Sequence, residues 1–67
     1  MEFKKVGNRT WSINGRQTSC RSTVKAQVMQ DYFRRNRIKP GSFTSLPLPE
    51  FKKHHLAIKA LWDDLGL

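Results

Sequence analysis

Two pairs of turn-forming residues, Gly7-Asn8 and Asn14-Gly15, lie within the first fifteen residues of the chain. Both pairs contain residues that adopt positive φ readily, and Asn-Gly between alternating hydrophobic residues is the strongest short-range signal for a β-hairpin. The flanking segments FKKV, RTWSI and RQTS have the length of short strands. The sequence therefore predicts a three-stranded antiparallel meander over residues 2–19.

A two-residue loop at Asn14-Gly15 fixes how the second and third strands pair. The predicted partners are Trp11 with Thr18, Ser12 with Gln17, and Ile13 with Arg16. One face is then largely apolar and holds Trp11, Ile13 and Thr18. The other face is polar and holds Thr10, Ser12, Gln17 and Ser19. The pairing of the first strand stays open, because placing Val6 beside Trp11 turns Phe3 to the polar face.

From Ser22 onward the hydrophobic period changes from two residues to that of a helix. A Ser or Thr cap precedes apolar positions that cover one broad side, namely Val24, Ala26, Val28, Met29, Tyr32 and Phe33. The opposite side is polar and holds Gln27, Gln30, Asp31, Arg34 and Arg37. Basic residues crowd the end of this segment, where they suit the helix dipole, and Pro40-Gly41 stops it. The pattern predicts a helix over residues 22–38.

A connector over residues 39–48 leads to a second predicted helix, over residues 49–65. Pro49 suits the first helical turn, and Gly66 ends the pattern. Hydrophobic positions recur at steps of three and four residues, namely Phe51, His55, Ile58, Leu61, Trp62 and Leu65. The predicted fold class is therefore α+β, with the order β-β-β-α-α, a small sheet packed on two helices.

The core of one small domain of 67 residues must come from the large apolar side chains of these elements. The residues predicted to be buried are Trp11, Val28, Tyr32, Phe33, Phe51, Ile58 and Trp62. The single cysteine, Cys20, has no partner for an internal disulfide, which favours a reducing, cytoplasmic location. No apolar run is long enough for a membrane span, and the first residues lack the apolar stretch of a signal peptide.

The numbers and positions of the cysteine and histidine residues disfavour catalysis and metal binding. A site with nitrogen and sulfur ligands usually needs about four of them, and the chain has one cysteine and two adjacent histidines, His54 and His55. Neighbouring helical positions diverge by about 100°, so the two histidines do not face one ion. Cys20 precedes a helix near Arg21, but no base accompanies it, and a small buried thiol is the simpler interpretation. We expect neither an enzyme nor a cofactor or small-molecule substrate.

The charge distribution favours a polyanionic partner. The formal net charge is +8, and residues 1–42 hold ten basic and two acidic residues, whereas residues 43–67 hold three of each. Phosphate contacts require a basic surface without exact spacing, and base-edge contacts use arginine for guanine and glutamine for adenine. The candidate nucleic-acid-binding residues are Lys4, Lys5, Arg9, Ser12, Arg16, Gln17, Arg21, Arg34, Arg35, Arg37 and Lys39. We expect a regulatory factor that binds duplex DNA, or RNA, with its sheet face. An ordinary solvated sheet face explains the same pattern.

A further pattern runs from the turn to the first helix: Gly7, Trp11-Ser12-Ile13, Gly15-Arg16, Thr18, Ser22-Thr23 and Ala26. It resembles the arm-type DNA-binding domains of tyrosine recombinases over residues 7–33. In that family a three-stranded sheet lies in the major groove, and the following helix supports it. The resemblance implies DNA binding by Arg9, Ser12, Arg16 and Gln17, without recombinase activity. A free-standing module of this kind would be an accessory factor of a phage or mobile element.

Two alternatives remain open. The segment TSCRSTVKAQVMQDYF is similar to the recognition helix of helix-turn-helix regulators, with Lys25, Gln27 and Gln30 approaching bases. Such a motif needs another helix just before it, and RTWSINGRQ is a poor helix former. The chain could instead be a small inhibitor or adaptor that docks on an acidic host protein through its second helix, by way of Trp62 and Leu65. Closure of the core explains those two side chains equally well.

Overall fold

The structure, a computed structural model that describes residues 1–67, places three strands before two helices. The elements are β1 (Phe3–Gly7), β2 (Thr10–Ile13), β3 (Arg16–Thr18), α1 (Arg21–Arg35), a 3-10 helix (Pro40–Ser45) and α2 (Leu48–Asp64). The strands form one antiparallel sheet in the order β1-β2-β3. The predicted α+β class and the order β-β-β-α-α are confirmed.

The second hairpin has the predicted turn and the predicted register. Asn14 and Gly15 adopt φ of 51° and 87°, as a two-residue turn of this hand requires. The three predicted pairs between β2 and β3 are all present. The backbone N–H of Glu2 also donates to Oδ1 of Asn14 at 2.9 Å, which ties this turn to the residue before β1.

The first hairpin differs from the prediction. Gly7 pairs with Thr10, so the two-residue loop is Asn8-Arg9 rather than Gly7-Asn8, and neither loop residue has positive φ. A bulge between Lys5 and Gly7 adds one residue to β1. This extra residue solves the open problem of register, because it lets Phe3 pair with Ile13 on the apolar face.

The main core lies between the sheet, α1 and the C-terminal end of α2. Its buried members are Trp11, Val24, Val28 and Leu67, and Phe3, Ile13, Trp62 and Leu65 pack against them. The indole N–H of Trp11 donates to the main-chain oxygen of Leu65 at 2.6 Å. The residues after α2 are therefore part of the core and join it to the sheet.

A second, aromatic cluster lies at the other end of the helices. The ring of Phe43, in the 3-10 helix, lies 4.8 Å from the ring of Phe33 and 4.9 Å from that of Phe51. Nearby, the hydroxyl of Tyr32 and Nδ1 of His54 are hydrogen-bonded at 2.6 Å. The connector thus folds into a 3-10 helix because Phe43 bridges α1 and α2.

The burial prediction is confirmed for four residues and too strong for three. Trp11, Val28, Phe33 and Ile58 are buried, whereas Tyr32, Phe51 and Trp62 are half-buried. Tyr32 and Trp62 keep their polar atoms at the edge of the core, where they form hydrogen bonds. The predicted apolar face of α2 is wrong at two positions: His55 and Leu61 are exposed, and His54 is half-buried in place of His55, whose ring stacks on Phe51.

Both helices end with the same backbone motif, which shortens α1 relative to the prediction. In α1 the N–H of Ile38 bonds to the oxygen of Phe33 at 2.8 Å, and Arg37 adopts φ of 55°. In α2 the N–H of Leu67 bonds to the oxygen of Trp62 at 2.8 Å, with Gly66 at φ 68°. These are Schellman motifs, and the one at Arg37 was missed because this position usually holds glycine.

Candidate nucleic-acid interface

The outer face of the sheet carries a row of three candidate residues. Lys4 pairs with Ser12, and Ser12 pairs with Gln17, so their side chains point to the same side. The ammonium of Lys4 lies 2.9 Å from the carboxylate of Glu2. This hydrogen bond and ion pair raise the pKa of Lys4 and lower the pKa of Glu2. The charge of Lys4 on this face is therefore balanced.

Two other basic residues of the strands belong to the opposite face. Lys5 pairs with Trp11, and Arg16 pairs with Ile13, so Arg16 does not share a face with Ser12 and Gln17. The Lys5 side chain passes close to Gly66: a Cβ atom added at Gly66 would lie 2.6 Å from Nζ of Lys5. The expectation that Ser12, Arg16 and Gln17 form one reading face does not match this register.

Arg21 and Lys5 both meet the segment that follows α2. The guanidinium of Arg21 donates to the main-chain oxygen of Leu67, a residue of the main core. Because both side chains remain exposed in part, they keep access to solvent. Their first role is local: they hold the segment after α2 against the sheet and the start of α1.

Arg34 and Arg35 surround Asp31, which sequence analysis had placed on the polar side of α1. Asp31 is buried, and its carboxylate lies 3.2 Å from Arg34, 3.0 Å from Arg35 and 3.6 Å from the amino group of Met1. The spacing of three and four residues could have indicated these two pairs. Both arginine side chains are about two-thirds exposed, and three cations around one carboxylate leave the cluster net positive.

One side of α1 carries a line of polar residues that is exposed except at the half-buried Gln27. Thr23, Gln27, Gln30 and Arg34 follow one another at steps of four, three and four residues, so they lie above one another on the helix. Arg16 lies beside the start of this line, because Arg16, Gln17, Thr23 and Gln27 all line one shallow groove of about 390 Å³. We call Arg16, Thr23, Gln27, Gln30 and Arg34 the hairpin–helix surface.

The remaining candidates lie in turns. Arg9 is in the β1–β2 loop, and Arg37 and Lys39 lie between α1 and the 3-10 helix; all three are exposed. None of them has a carboxylate within 4 Å, and the same holds for ten of the thirteen lysine and arginine side chains. Most of the positive charge is therefore available to a partner.

The helix-turn-helix interpretation requires a helix before α1, and the structure has the β2–β3 hairpin there. That motif is absent, although Lys25, Gln27 and Gln30 do lie on α1. The Lys25 ammonium lies over the Trp62 ring, 4.9 Å from its centroid, and the Trp62 indole donates to the Lys25 oxygen at 3.1 Å. Lys25 therefore faces α2.

Cys20 is exposed at the start of α1, so the expectation of a buried thiol was wrong. It is also the N-cap residue of α1, in place of the predicted Ser or Thr. Hydrogen bonds from the Ser22 and Thr23 side chains, and from the backbone N–H of Thr23, lower the pKa of the Cys20 thiol to about 7. The Sγ atom lies 3.4 Å from Ser22 Oγ and accepts from Thr23 Oγ1 at 3.0 Å.

This environment predicts unusually fast alkylation of Cys20 near neutral pH, since the thiolate is the nucleophile. We expect the rate with iodoacetamide to rise with pH and reach half its plateau near pH 7, the pKa about which the thiol loses its proton. Ser22→Ala and Thr23→Val should each move the midpoint upward, whereas Cys20→Ser should abolish the reaction. A midpoint above pH 8 in the parent protein would contradict the prediction.

Other features of the structure add no second site. No three His, Cys, Asp or Glu side chains converge on one point. Neither helix combines the length and apolar character that crossing a membrane requires. Trp62 and Leu65, named as a possible contact for a protein partner, pack against the main core and are half-buried.

Comparisons with known proteins identify no relative of the chain. No protein-family model, curated protein or solved structure matches it. The resemblance to recombinase arm domains therefore rests on residues 7–33 alone, and arguments about function rest on the surfaces described above.

Proposed function

We propose that this protein binds duplex DNA and that the hairpin–helix surface enters the major groove. The observation that carries the proposal is the polar line of Thr23, Gln27, Gln30 and Arg34 along one side of α1, with Arg16 beside its first turn. Arginine and glutamine are the side chains that read guanine and adenine edges best. Arg34 contacts the Asp31 carboxylate at 3.2 Å, but Arg35 and the Met1 amino group share that carboxylate, so the cluster stays net positive.

The balance of charge favours α1 over the outer face of the sheet as the reading element. On the sheet, Lys4 is paired with Glu2, and Lys5 and Arg16 belong to the other face. Ser12 then has little positive charge beside it, whereas phosphate attraction supplies a large share of the affinity for DNA. The hairpin–helix surface combines both requirements, because Arg16 and Arg34 flank its two glutamines.

The size of the surface also suits the groove. Thr23 and Arg34 are eleven residues apart, which corresponds to about 16 Å along a helix. The major groove is about 12 Å wide and admits one α-helix. The turns that hold Arg9, Arg37 and Lys39 lie outside this line, where exposed cations contact phosphates without sequence preference.

Binding to a DNA duplex should weaken steeply with salt, because each phosphate contact releases counterions. Arg16→Ala and Arg34→Ala should each reduce the slope of log affinity against log salt by about one. Lys52→Ala removes the same charge from α2 and is the matched control. Fluorescence anisotropy at several salt concentrations measures all three. No binding to duplex DNA at low salt would overturn the proposal, and equal binding to RNA would widen it to nucleic acids in general.

The reading element can be located by amide chemical shifts on addition of a duplex. Shifts centred on residues 23–34 support α1, whereas shifts centred on residues 3–19 with an unperturbed α1 support the sheet. Gln30→Ala should relax sequence preference by about 1–3 kcal/mol per base pair contacted, without loss of stability, because its side chain is exposed. Gln17→Ala provides the same change on the sheet. If only Gln17→Ala alters preference, the sheet is the reading element.

A further inference from the structure

One side of α2 is apolar and has no partner within the chain. Leu56 is 63% exposed and Leu61 is 41% exposed, although both are large hydrophobic residues in a well-formed helix. Ala57 and Ala60 lie between them, half-buried and exposed respectively. At helical spacing these four residues share one side of α2, away from the buried Ile58. We call them the α2 stripe.

A groove of about 480 Å³ borders the α2 stripe. Ala57 and Leu61 form its α2 wall, Val28 and Tyr32 its α1 wall, and Phe3 comes from the sheet. Seven of its ten lining residues are hydrophobic. The apolar surface therefore continues from the exposed side of α2 into the space between the helices and the sheet.

Charged residues stand at the two ends of the stripe, with opposite sign. Lys53 precedes it and Asp64 follows it, both exposed and neither in an ion pair. Together with the four residues of the α2 stripe, Lys53 and Asp64 are arranged symmetrically in the sequence about the midpoint between Ile58 and Lys59. A second helix of the same sequence, laid antiparallel, would place Lys53 opposite Asp64, Leu56 opposite Leu61, and Ala57 opposite Ala60.

We infer that the α2 stripe is the interface of a homodimer with two-fold symmetry, in which two α2 helices pack antiparallel. The paired alanines allow the helices to approach closely, and Leu56 of each copy packs at the groove beside Leu61 of the other. A two-fold interface must be self-complementary in this way. Lipid surfaces and unrelated proteins give no reason for Lys53 and Asp64 to stand at matched distances from the centre. The inference is independent of DNA binding.

Sedimentation equilibrium of the full chain without DNA tests the dimer. The experiment is best done at about 0.3 M salt, where repulsion between two chains of charge +8 is largely screened. We expect a reversible monomer–dimer equilibrium. Leu56→Ser should weaken it at least tenfold without unfolding the chain, since Leu56 is mostly exposed. A monomer at every concentration up to about 1 mM would overturn the inference, because even a weak specific interface associates there.

Charge reversal tests the antiparallel register. Lys53→Asp and Asp64→Lys should each weaken the dimer about tenfold, and the double variant should restore it, because the opposite charges then meet again. Lys53→Asp places a negative charge near the N-terminus of α2, and Asp64→Lys places a positive charge at its C-terminus. Both charges interact favourably with the helix dipole, so loss of the fold does not explain weaker association. Lys52→Asp, which lies off the stripe, is the matched control and should leave the dimer intact. Failure of the double variant to recover would overturn the register.

Discussion

Trp11→Ala should lower the free energy of unfolding by about 3–5 kcal/mol, the usual cost of truncating a buried tryptophan. A chain of 67 residues has a total stability of roughly 3–10 kcal/mol, so the loss removes a large fraction of it and should lower the melting temperature strongly. Trp11 is 4% exposed and contacts the buried Val24, Val28 and Leu67. Thermal and urea denaturation followed by circular dichroism measures the loss.

Trp11 has a second function in the core, because its indole N–H holds the main-chain oxygen of Leu65. Trp11→Phe keeps most of the apolar volume and removes this donor, so we expect an intermediate loss of about 1–3 kcal/mol. The predicted order of stability is therefore parent, Trp11→Phe and Trp11→Ala. If Trp11→Ala melts like the parent, the sheet does not dock on α1 and the C-terminal segment as described.

Phe33→Ala should cost a similar amount, about 3–5 kcal/mol, through the aromatic cluster at the far end of the helices. Phe33 is 3% exposed, and its ring lies 4.8 Å from Phe43, which in turn contacts Phe51. Truncation removes the surface against which the 3-10 helix packs. We expect α2 to lose its attachment at its N-terminal end, with the largest gain in amide hydrogen exchange near Phe43.

Phe33→Leu is the control for this prediction, because leucine fills part of the cavity and should cost less than alanine. Exchange protection around Trp11 should change little in both variants until global unfolding, since that tryptophan belongs to the main core and not to the aromatic cluster. Uniform loss of protection along the whole chain would mean that the two cores unfold as one unit.

The burial predictions for α2 were only partly correct. Periodicity placed His55 on the buried face, but His54 is the half-buried histidine and is hydrogen-bonded to Tyr32 of α1. Leu61, also expected inside, is 41% exposed. A helical pattern with apolar residues on several sides does not determine which side is buried. The choice depends on what α1 and the 3-10 helix present.

In the candidate site, too, local features could be predicted from the sequence, whereas contacts between distant residues could not. Sequence analysis identified the basic residues and the polar side of α1, because charge and helical spacing are local properties. It did not predict that Asp31 contacts Arg34, Arg35 and the Met1 amino group, because Met1 lies just before β1 and far from Asp31 in the sequence. The register of the second hairpin, which the sequence predicted, already placed Arg16 and Gln17 on opposite faces of the sheet.

The sequence by itself determined the second turn, the register of β2 with β3, the order of elements and the excess of positive charge. Asn14-Gly15 is decisive because its backbone preference requires no distant contact. Tertiary structure decided the bulge in β1, the 3-10 helix around Phe43 and the burial of Leu67. These depend on contacts between residues far apart in the chain, where burial of apolar surface outweighs local preference.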